Sequence, residues 1–168
     1  MRSWGKEPEN IEEALAFYAA RMHEDAPAEF LADYMTFCWQ ACEPGMAAAA
    51  DLSDQVFTEA AERLQDLLAQ AHQHRYRWTA PDFWRRYIVS ADYGGEFTFD
   101  VADCRAFLEH NPAYIEPVFY LFAVGRDNSV RSLVTEVLRQ CEQPTLRSKY
   151  VRSFIESTMS NRKLGPPA

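Results

Sequence analysis

Helical periodicity is the feature that most constrains the fold of this chain. Between positions 130 and 141, apolar residues recur at intervals of three and four, which is the spacing that places side chains on one face of an α-helix. They are Val130, Leu133, Val134, Val137, Leu138 and Cys141. The same spacing recurs from residue 56 to residue 71, and shorter stripes occur elsewhere. The pattern predicts an all-α fold.

Residues that begin helices divide the chain into about seven or eight helical segments. Ser53 and Asp100 are N-cap residue types close to the start of apolar stripes. Thr79 and Asp82 have the Thr-x-x-Asp spacing of a capping box, in which each side chain accepts the other residue's backbone N–H. We therefore expect helices to begin at these three places and the chain to form a helical bundle.

Two segments leave alternatives open. Residues 114–124 predict a helix that Gly125 ends, and Pro117 can delay its start because proline has no backbone N–H to donate. Residues 96–100 alternate like a strand. We expect an extended loop there, and the alternatives are a small ribbon with residues 75–78 or an edge strand that pairs with another chain.

The length of 168 residues fits one helical domain over residues 1–163, followed by a flexible tail at residues 164–168. A faint offset of 32 residues aligns Pro112 with Pro144 and Val118 with Tyr150. This offset leaves HEAT-like stacking of helical hairpins in the C-terminal third as an alternative to an irregular bundle.

The longest apolar run, residues 118–124, is too short to cross a bilayer, and the residues after Met1 lack the composition of a signal peptide. We expect a cytoplasmic protein without a membrane segment. The cysteines have no Cys-x-x-Cys spacing and are predicted to be reduced, partly buried thiols. They are Cys38, Cys42, Cys104 and Cys141.

Acidic residues are concentrated in the first part of the chain. Residues 1–70 contain 14 acidic and 4 basic residues, whereas the remainder is mildly basic. Such a surface attracts cationic macromolecules, although it can also serve solubility alone. We predict a small acidic binding protein that blocks a positively charged surface of a partner, as an inhibitor, an immunity-type antagonist of a toxin or other effector, or an adaptor. The predicted contact residues are Glu9, Glu12, Glu13, Glu24, Asp25, Glu29, Asp33 and Trp39.

Arginine and aromatic residues interleave between residues 72 and 87. This pattern can hold phosphates and stack bases, so the alternative function is a helical regulator that binds nucleic acid or a nucleotide. Its site would consist of Arg75, Arg77, Trp78, Trp84, Arg85 and Arg86. The net charge of −8 argues against nucleic acid. A structural interpretation also competes, in which the aromatic residues fill a helix junction and the arginines pair with the acidic N-terminal helices.

Catalytic and metal-binding motifs are missing from the sequence. It contains no nucleophile elbow, P-loop, dinucleotide fingerprint or HExxH motif. Cys38 and Cys42 share a helix face, but two further ligands from His72 and His74 would diverge if that segment is helical. We therefore predict no enzymatic activity, no metal and no cofactor. The oligomeric state and the partner's identity do not follow from the sequence.

Overall fold

The structure is a computed structural model that describes residues 5–23, 25–45, 52–92, 99–142 and 145–162. These residues form eight α-helices and two 3₁₀ helices, and no strand occurs among them. The prediction of an all-α bundle of seven or eight helices is confirmed. The α-helices are α1 (Ile11–Ala19), α2 (Ala28–Ala41), α3 (Asp54–Ala71), α4 (Ala80–Asp92), α5 (Val101–His110), α6 (Val118–Ala123), α7 (Arg131–Gln140) and α8 (Leu146–Asn161). The 3₁₀ helices are His74–Tyr76 and Asn128–Val130.

The chain divides into two compact units, residues 1–88 and residues 89–168. In the first unit α2 packs against α1 and α3, and in the second unit α6 packs against α5, α7 and α8. One domain over residues 1–163 and HEAT-like stacking both stay predictions. Across the described ranges, no helix combines the length and the apolar character needed to cross a membrane.

Helix α2 is buried on every face and organises the first unit. Every residue from 30 to 39 is buried, as expected of a helix whose apolar residues lie all round it. The ring of Tyr18 on α1 stacks on that of Tyr34 on α2, with centroids 4.9 Å apart. The Tyr18 hydroxyl donates a 2.5 Å hydrogen bond to the buried carboxylate of Glu7. Because α2 is enclosed, exposed charge in this unit has to lie elsewhere, above all on α1 and α3.

Helices begin at all three predicted places, and two of the three predicted caps form. The Ser53 side chain caps α3 by accepting the Val56 N–H, and Asp100 forms a capping box with Asp103 at the start of α5.

The predicted box between Thr79 and Asp82 is wrong. The Asp82 carboxylate accepts the N–H of Trp78, and the Thr79 hydroxyl donates to the carbonyl of Tyr76. The Thr79 N–H also donates to the Tyr76 carbonyl. The N–H and the hydroxyl proton of Thr79 therefore both close the preceding 3₁₀ turn, and Asp82 accepts the N–H of Trp78 instead of that of Thr79.

Helix α6 is shorter than the sequence predicts. It begins at Val118, directly after Pro117, whereas residues 114–124 were expected to be helical. Residues 112–117 contain turns, and the Tyr114 hydroxyl donates to the Glu116 carboxylate there at 2.7 Å. The delay follows from the missing N–H of Pro117 and from the bias of the preceding residue away from helical conformation.

Other segments fall partly or wholly outside the described residues. The strand-like pattern lies outside them up to residue 98, and so does the tail at residues 164–168. The proposed ribbon partner, residues 75–78, begins within the 3₁₀ helix His74–Tyr76 and is therefore not a strand.

Gly125 follows the end of α6 at a close backbone approach. A Cβ at this position would lie 2.8 Å from the Leu121 carbonyl oxygen and 2.9 Å from Cγ2 of Val101. Neither distance is compatible with an ordinary side-chain contact. The left-handed residue at this helix end is instead Arg126, with φ of 51°. Glycine is needed here for space rather than for a positive φ.

We expect Gly125→Ala to lower the free energy of unfolding by about 1 to 3 kcal/mol, because a backbone carbonyl has to move. Gly45→Ala is the matched control, since its Cβ would meet no atom within 4 Å. Its stability should stay level or rise by up to about 1 kcal/mol. Urea unfolding measures both changes. Equal stability of the two variants would contradict the steric explanation.

Candidate functional site

A groove between α1 and the start of α3 is the clearest candidate site in the first unit. It has a volume of about 310 Å³. Its lining combines two carboxylates with three apolar and two polar side chains: Glu12, Leu15, Ala16, Ser53, Gln55, Val56 and Glu59. We call this feature the acidic groove.

Residues of α1 that share one helix face form one wall of the acidic groove. The side chain of Asn10 accepts the Glu13 N–H at 3.1 Å and fixes the start of the helix. Glu12 therefore lies in the first turn, and Leu15 and Ala16 follow it by three and four residues. That spacing puts the carboxylate and the two apolar side chains on the same face.

The opposite wall is formed by the capped N-terminal end of α3. The Ser53 side chain accepts the Val56 N–H at 3.3 Å, so the helix begins at Asp54. Glu59 lies three residues after Val56 and four after Gln55, which places all three on one face. Both walls thus carry a carboxylate beside an apolar side chain.

The carboxylates of the groove form no direct ion pair with the described residues. Neither Glu12 nor Glu59 forms an ion pair or side-chain hydrogen bond with them. Arg63 follows Glu59 by one helical turn, and both act electrostatically on the buried Tyr34 and Cys38.

In the first unit, Lys6 pairs with Glu9 at 3.5 Å, outside the groove. The guanidinium of Arg21 lies 4.0 Å from the ring centroid of Phe17 and donates to a carbonyl. Arg21 is therefore engaged by Phe17 and does not pair with a carboxylate of the groove.

The residues predicted to contact a partner fall into three groups. Glu9, Glu12, Glu13 and Asp25 are exposed, and Glu29 is half-buried. Asp33 and Trp39 are 1% and 5% exposed, because they lie on the enclosed helix α2. Glu24 lies outside the described residues. Of the predicted set, only Glu12 lines the acidic groove.

Sequence reasoning missed the contribution of α3. Glu59 was counted in the charge of residues 1–70 but was not singled out, and Val56 was assigned to the core stripe. Phe57 is 39% exposed, unusual for a large apolar side chain. The signal was available in the acidic residues that follow the Ser53 cap, namely Asp54, Glu59, Glu62 and Asp66.

The arginine and aromatic cluster that supports the alternative function is organised around Asp82. This carboxylate is 5% exposed and accepts hydrogen bonds of 3.1 Å from Arg85 and from two nitrogens of Arg86. It also accepts the N–H of Trp78 at 3.2 Å. Arg85 and Arg86 therefore pair with an acid of their own helix.

The aromatic members of this cluster are also engaged. The guanidinium carbons of Arg77 and Arg86 lie 5.3 and 5.2 Å from the ring centroid of Trp78. Trp84 is 0% exposed and packs edge-on against Tyr87. Arg75 lies over the ring of Tyr76 at 4.8 Å. These contacts favour a structural role for the cluster, with Arg75 and Arg77 as its exposed cations.

The Trp78 backbone is held in an uncommon conformation by the same carboxylate. Its φ is 62°, in the left-handed region that a bulky residue seldom adopts. Burial alone would raise the pKa of Asp82, but hydrogen bonds from Arg86, the Trp78 N–H and Arg85 outweigh it and lower the pKa below the ordinary value of 3.8. Asp82 therefore holds two guanidinium groups and this turn together while ionised.

Among the described residues, the cysteines and histidines do not form a metal site. Cys38, Cys42, Cys104 and Cys141 are free thiols, and burial raises the pKa of Cys38 and of Cys104. His72 and His74 are exposed. In the part of the chain that the structure describes, no three His, Cys, Asp or Glu side chains are placed to hold a metal ion.

Comparisons with protein-family models, with curated proteins and with solved structures found no match to this chain.

We expect Asp82→Asn to lower the free energy of unfolding by about 2 kcal/mol near neutral pH, because two arginines lose an ionic acceptor. The folded-state pKa of Asp82 lies below its unfolded value, so ionisation stabilises the fold above about pH 4 and this contribution is lost as the pH falls through the folded-state pKa. The difference between the two proteins should therefore shrink below pH 3.8.

Urea unfolding over a series of pH values measures this difference. Asp66→Asn is the control, since Asp66 is an exposed acid on α3 without an ion pair to a described residue. It should change the stability by less than about 0.5 kcal/mol. A gap between wild type and Asp82→Asn that stays constant at low pH would show that the charge of Asp82 contributes nothing.

Proposed function

We propose that this chain is a small acidic binding protein that covers a positively charged surface of a partner protein. The acidic groove carries the proposal. Its two carboxylates, Glu12 and Glu59, are ionic acceptors that form no ion pair or side-chain hydrogen bond with a described residue. Two carboxylates that line the same groove repel each other, and a cationic partner would relieve that repulsion on binding.

The groove fits a basic side chain rather than a bare cation. Lysine and arginine carry an apolar stem and a charged head. Leu15, Ala16 and Val56 offer apolar surface for the stem, and the carboxylates at positions 12 and 59 accept from the head. This arrangement matches one basic side chain inserted from a partner surface. Phe57, which follows Val56 in the sequence and is exposed, would offer an additional apolar contact.

The other exposed acids would act at longer range. Glu13, Asp25, Glu62 and Asp66 form no ion pair with a described residue, so they add to a negative field around the first unit. Such a field raises the association rate of a basic protein more than it raises affinity. Asp33 and Trp39 are not part of the proposed surface because they are buried.

The proposed mechanism is steric and electrostatic blocking, without a bond-making step. An inhibitor, an immunity-type antagonist of a toxin or other effector, or an adaptor would work in this way. The four free cysteines support a reducing compartment such as the cytoplasm for this binding.

Affinity capture from a lysate of the source cells, read by quantitative mass spectrometry, tests the proposal. We expect a basic protein to be retained by the wild type and to be lost with the double variant Glu12→Gln and Glu59→Gln. Removing two interfacial charges should weaken binding by about a hundredfold or more. The association rate should fall as the salt concentration rises.

The matched control is Glu109→Gln with Glu142→Gln. These two exposed acids lie in the second unit and make the same change in net charge. The control should retain the partner. The proposal fails if both double variants lose it equally, or if every captured protein is retained by all three forms.

A further inference from the structure

A second, chemically opposite pocket lies in the second unit. It is an open pocket of about 560 Å³ between the end of α6, the 3₁₀ helix Asn128–Val130 and the end of α8. Among the described residues it is lined by Ala123, Arg126, Asn128, Thr158, Asn161 and Arg162. Two guanidinium groups, two carboxamides and a hydroxyl line it, and no described lining residue is acidic.

The guanidinium of Arg162 is held in place by the chain. It donates a 3.2 Å hydrogen bond to the carbonyl of Ala123 and lies 5.3 Å from the ring centroid of Phe122. One donor is thus used to fix the group, and an arginine has four further N–H donors. Fixing a side chain before a ligand arrives reduces the entropy lost on binding.

The guanidinium of Arg126 is free, and its backbone is strained. Arg126 is exposed and forms no ion pair or hydrogen bond with a described residue through its side chain. Its φ of 51° lies in the left-handed region, which costs about 1 kcal/mol or more for a residue with a Cβ. Gly125, directly before it, does not take this conformation.

Nearby acids do not neutralise the pocket. Asp127 accepts from Arg105 at 2.8 Å and from the hydroxyl of Ser129 at 2.6 Å. Glu156 pairs with Arg152 at 3.3 Å. The carboxamide of Asn128 makes no hydrogen bond with a described residue and remains free to donate. The positive charge of the pocket is therefore available to a ligand.

We propose that this pocket binds a small molecule that carries a phosphoryl group. A guanidinium matches the oxygen pairs of a phosphoryl group with two parallel N–H donors, and carboxamide N–H groups complete such a site. The volume falls in the range of small-molecule sites and exceeds what a single oxyanion needs. The site is separate from the acidic groove, so its failure would leave the proposed partner binding unaffected.

Isothermal titration calorimetry with inorganic phosphate, pyrophosphate and adenosine diphosphate, at ionic strength fixed with sodium chloride, tests this proposal. We expect saturable binding of pyrophosphate to the full chain. Tighter binding of the nucleotide would identify a nucleotide as the source of the phosphoryl group. Equal binding of the two would show that the phosphoryl groups alone are recognised and that the adenosine part contributes nothing, and either result supports the site.

Arg126→Asn is the informative variant, because asparagine tolerates the left-handed conformation while the guanidinium and its charge are removed. It should weaken pyrophosphate binding by about tenfold or more without lowering the melting temperature. Arg139→Gln is the matched control: Arg139 is an exposed arginine of α7 paired with Glu136, outside the pocket. The affinity of the Arg139→Gln variant for pyrophosphate should stay within about twofold of that of the wild type.

Three results would overturn the proposal. The first is the absence of saturable binding up to about 10 mM pyrophosphate, which is beyond the range of a specific site. The second is an equal loss in Arg126→Asn and Arg139→Gln, which would indicate attraction to net charge alone. The third is length-dependent binding of a single-stranded oligonucleotide without any response to pyrophosphate, which would assign the surface to nucleic acid.

Discussion

The enclosure of α2 is the constraint on which the first unit depends. Ten consecutive residues of this helix, 30–39, are buried. Neighbouring elements therefore have to surround this part of α2, and its side chains cannot carry an exposed charge. The exposed acids of the first unit therefore lie mostly on α1, α3 and the segments around them, whereas Asp33 of α2 and Asp82 of α4 are buried. Asn10 and Ser53 cap the N-termini of α1 and α3 and fix where these helices begin. On these two helices, Glu12 and Glu59 line the same groove.

The first unit contains two kinds of carboxylate, which differ in burial and in their ionic partners. Asp82 is buried and is satisfied by Arg85, Arg86 and a backbone N–H, so its charge serves the fold. Glu12 and Glu59 are exposed and have no ionic partner among the described residues, so their charge is available for recognition. The pocket of Arg126 and Arg162 in the second unit has the opposite sign and the same lack of neutralisation. Whether a charged side chain has an ionic partner within the chain therefore distinguishes structural from candidate functional residues better than the local number of charges does.

Sequence periodicity predicted the helices well because apolar spacing reports burial directly. It failed where burial had to be judged around the whole helix. Asp33 and Trp39 were predicted to lie on a surface, yet both are buried because other elements cover every face of α2. Pro117 shortened α6 as its chemistry allows. The partners of Asp82 and the free side chain of Arg126 depend on contacts and on a positive φ, which no spacing rule encodes.

Hydrogen–deuterium exchange, measured on the protein alone and in complex with its captured basic partner, tests the central claim most directly, because it reports which backbone segments a partner covers. Slower exchange in α1 and in the first turns of α3, with α7 and α8 unchanged, is the outcome that the acidic groove requires. Protection confined to the second unit, or none in α1 and α3, would contradict the account.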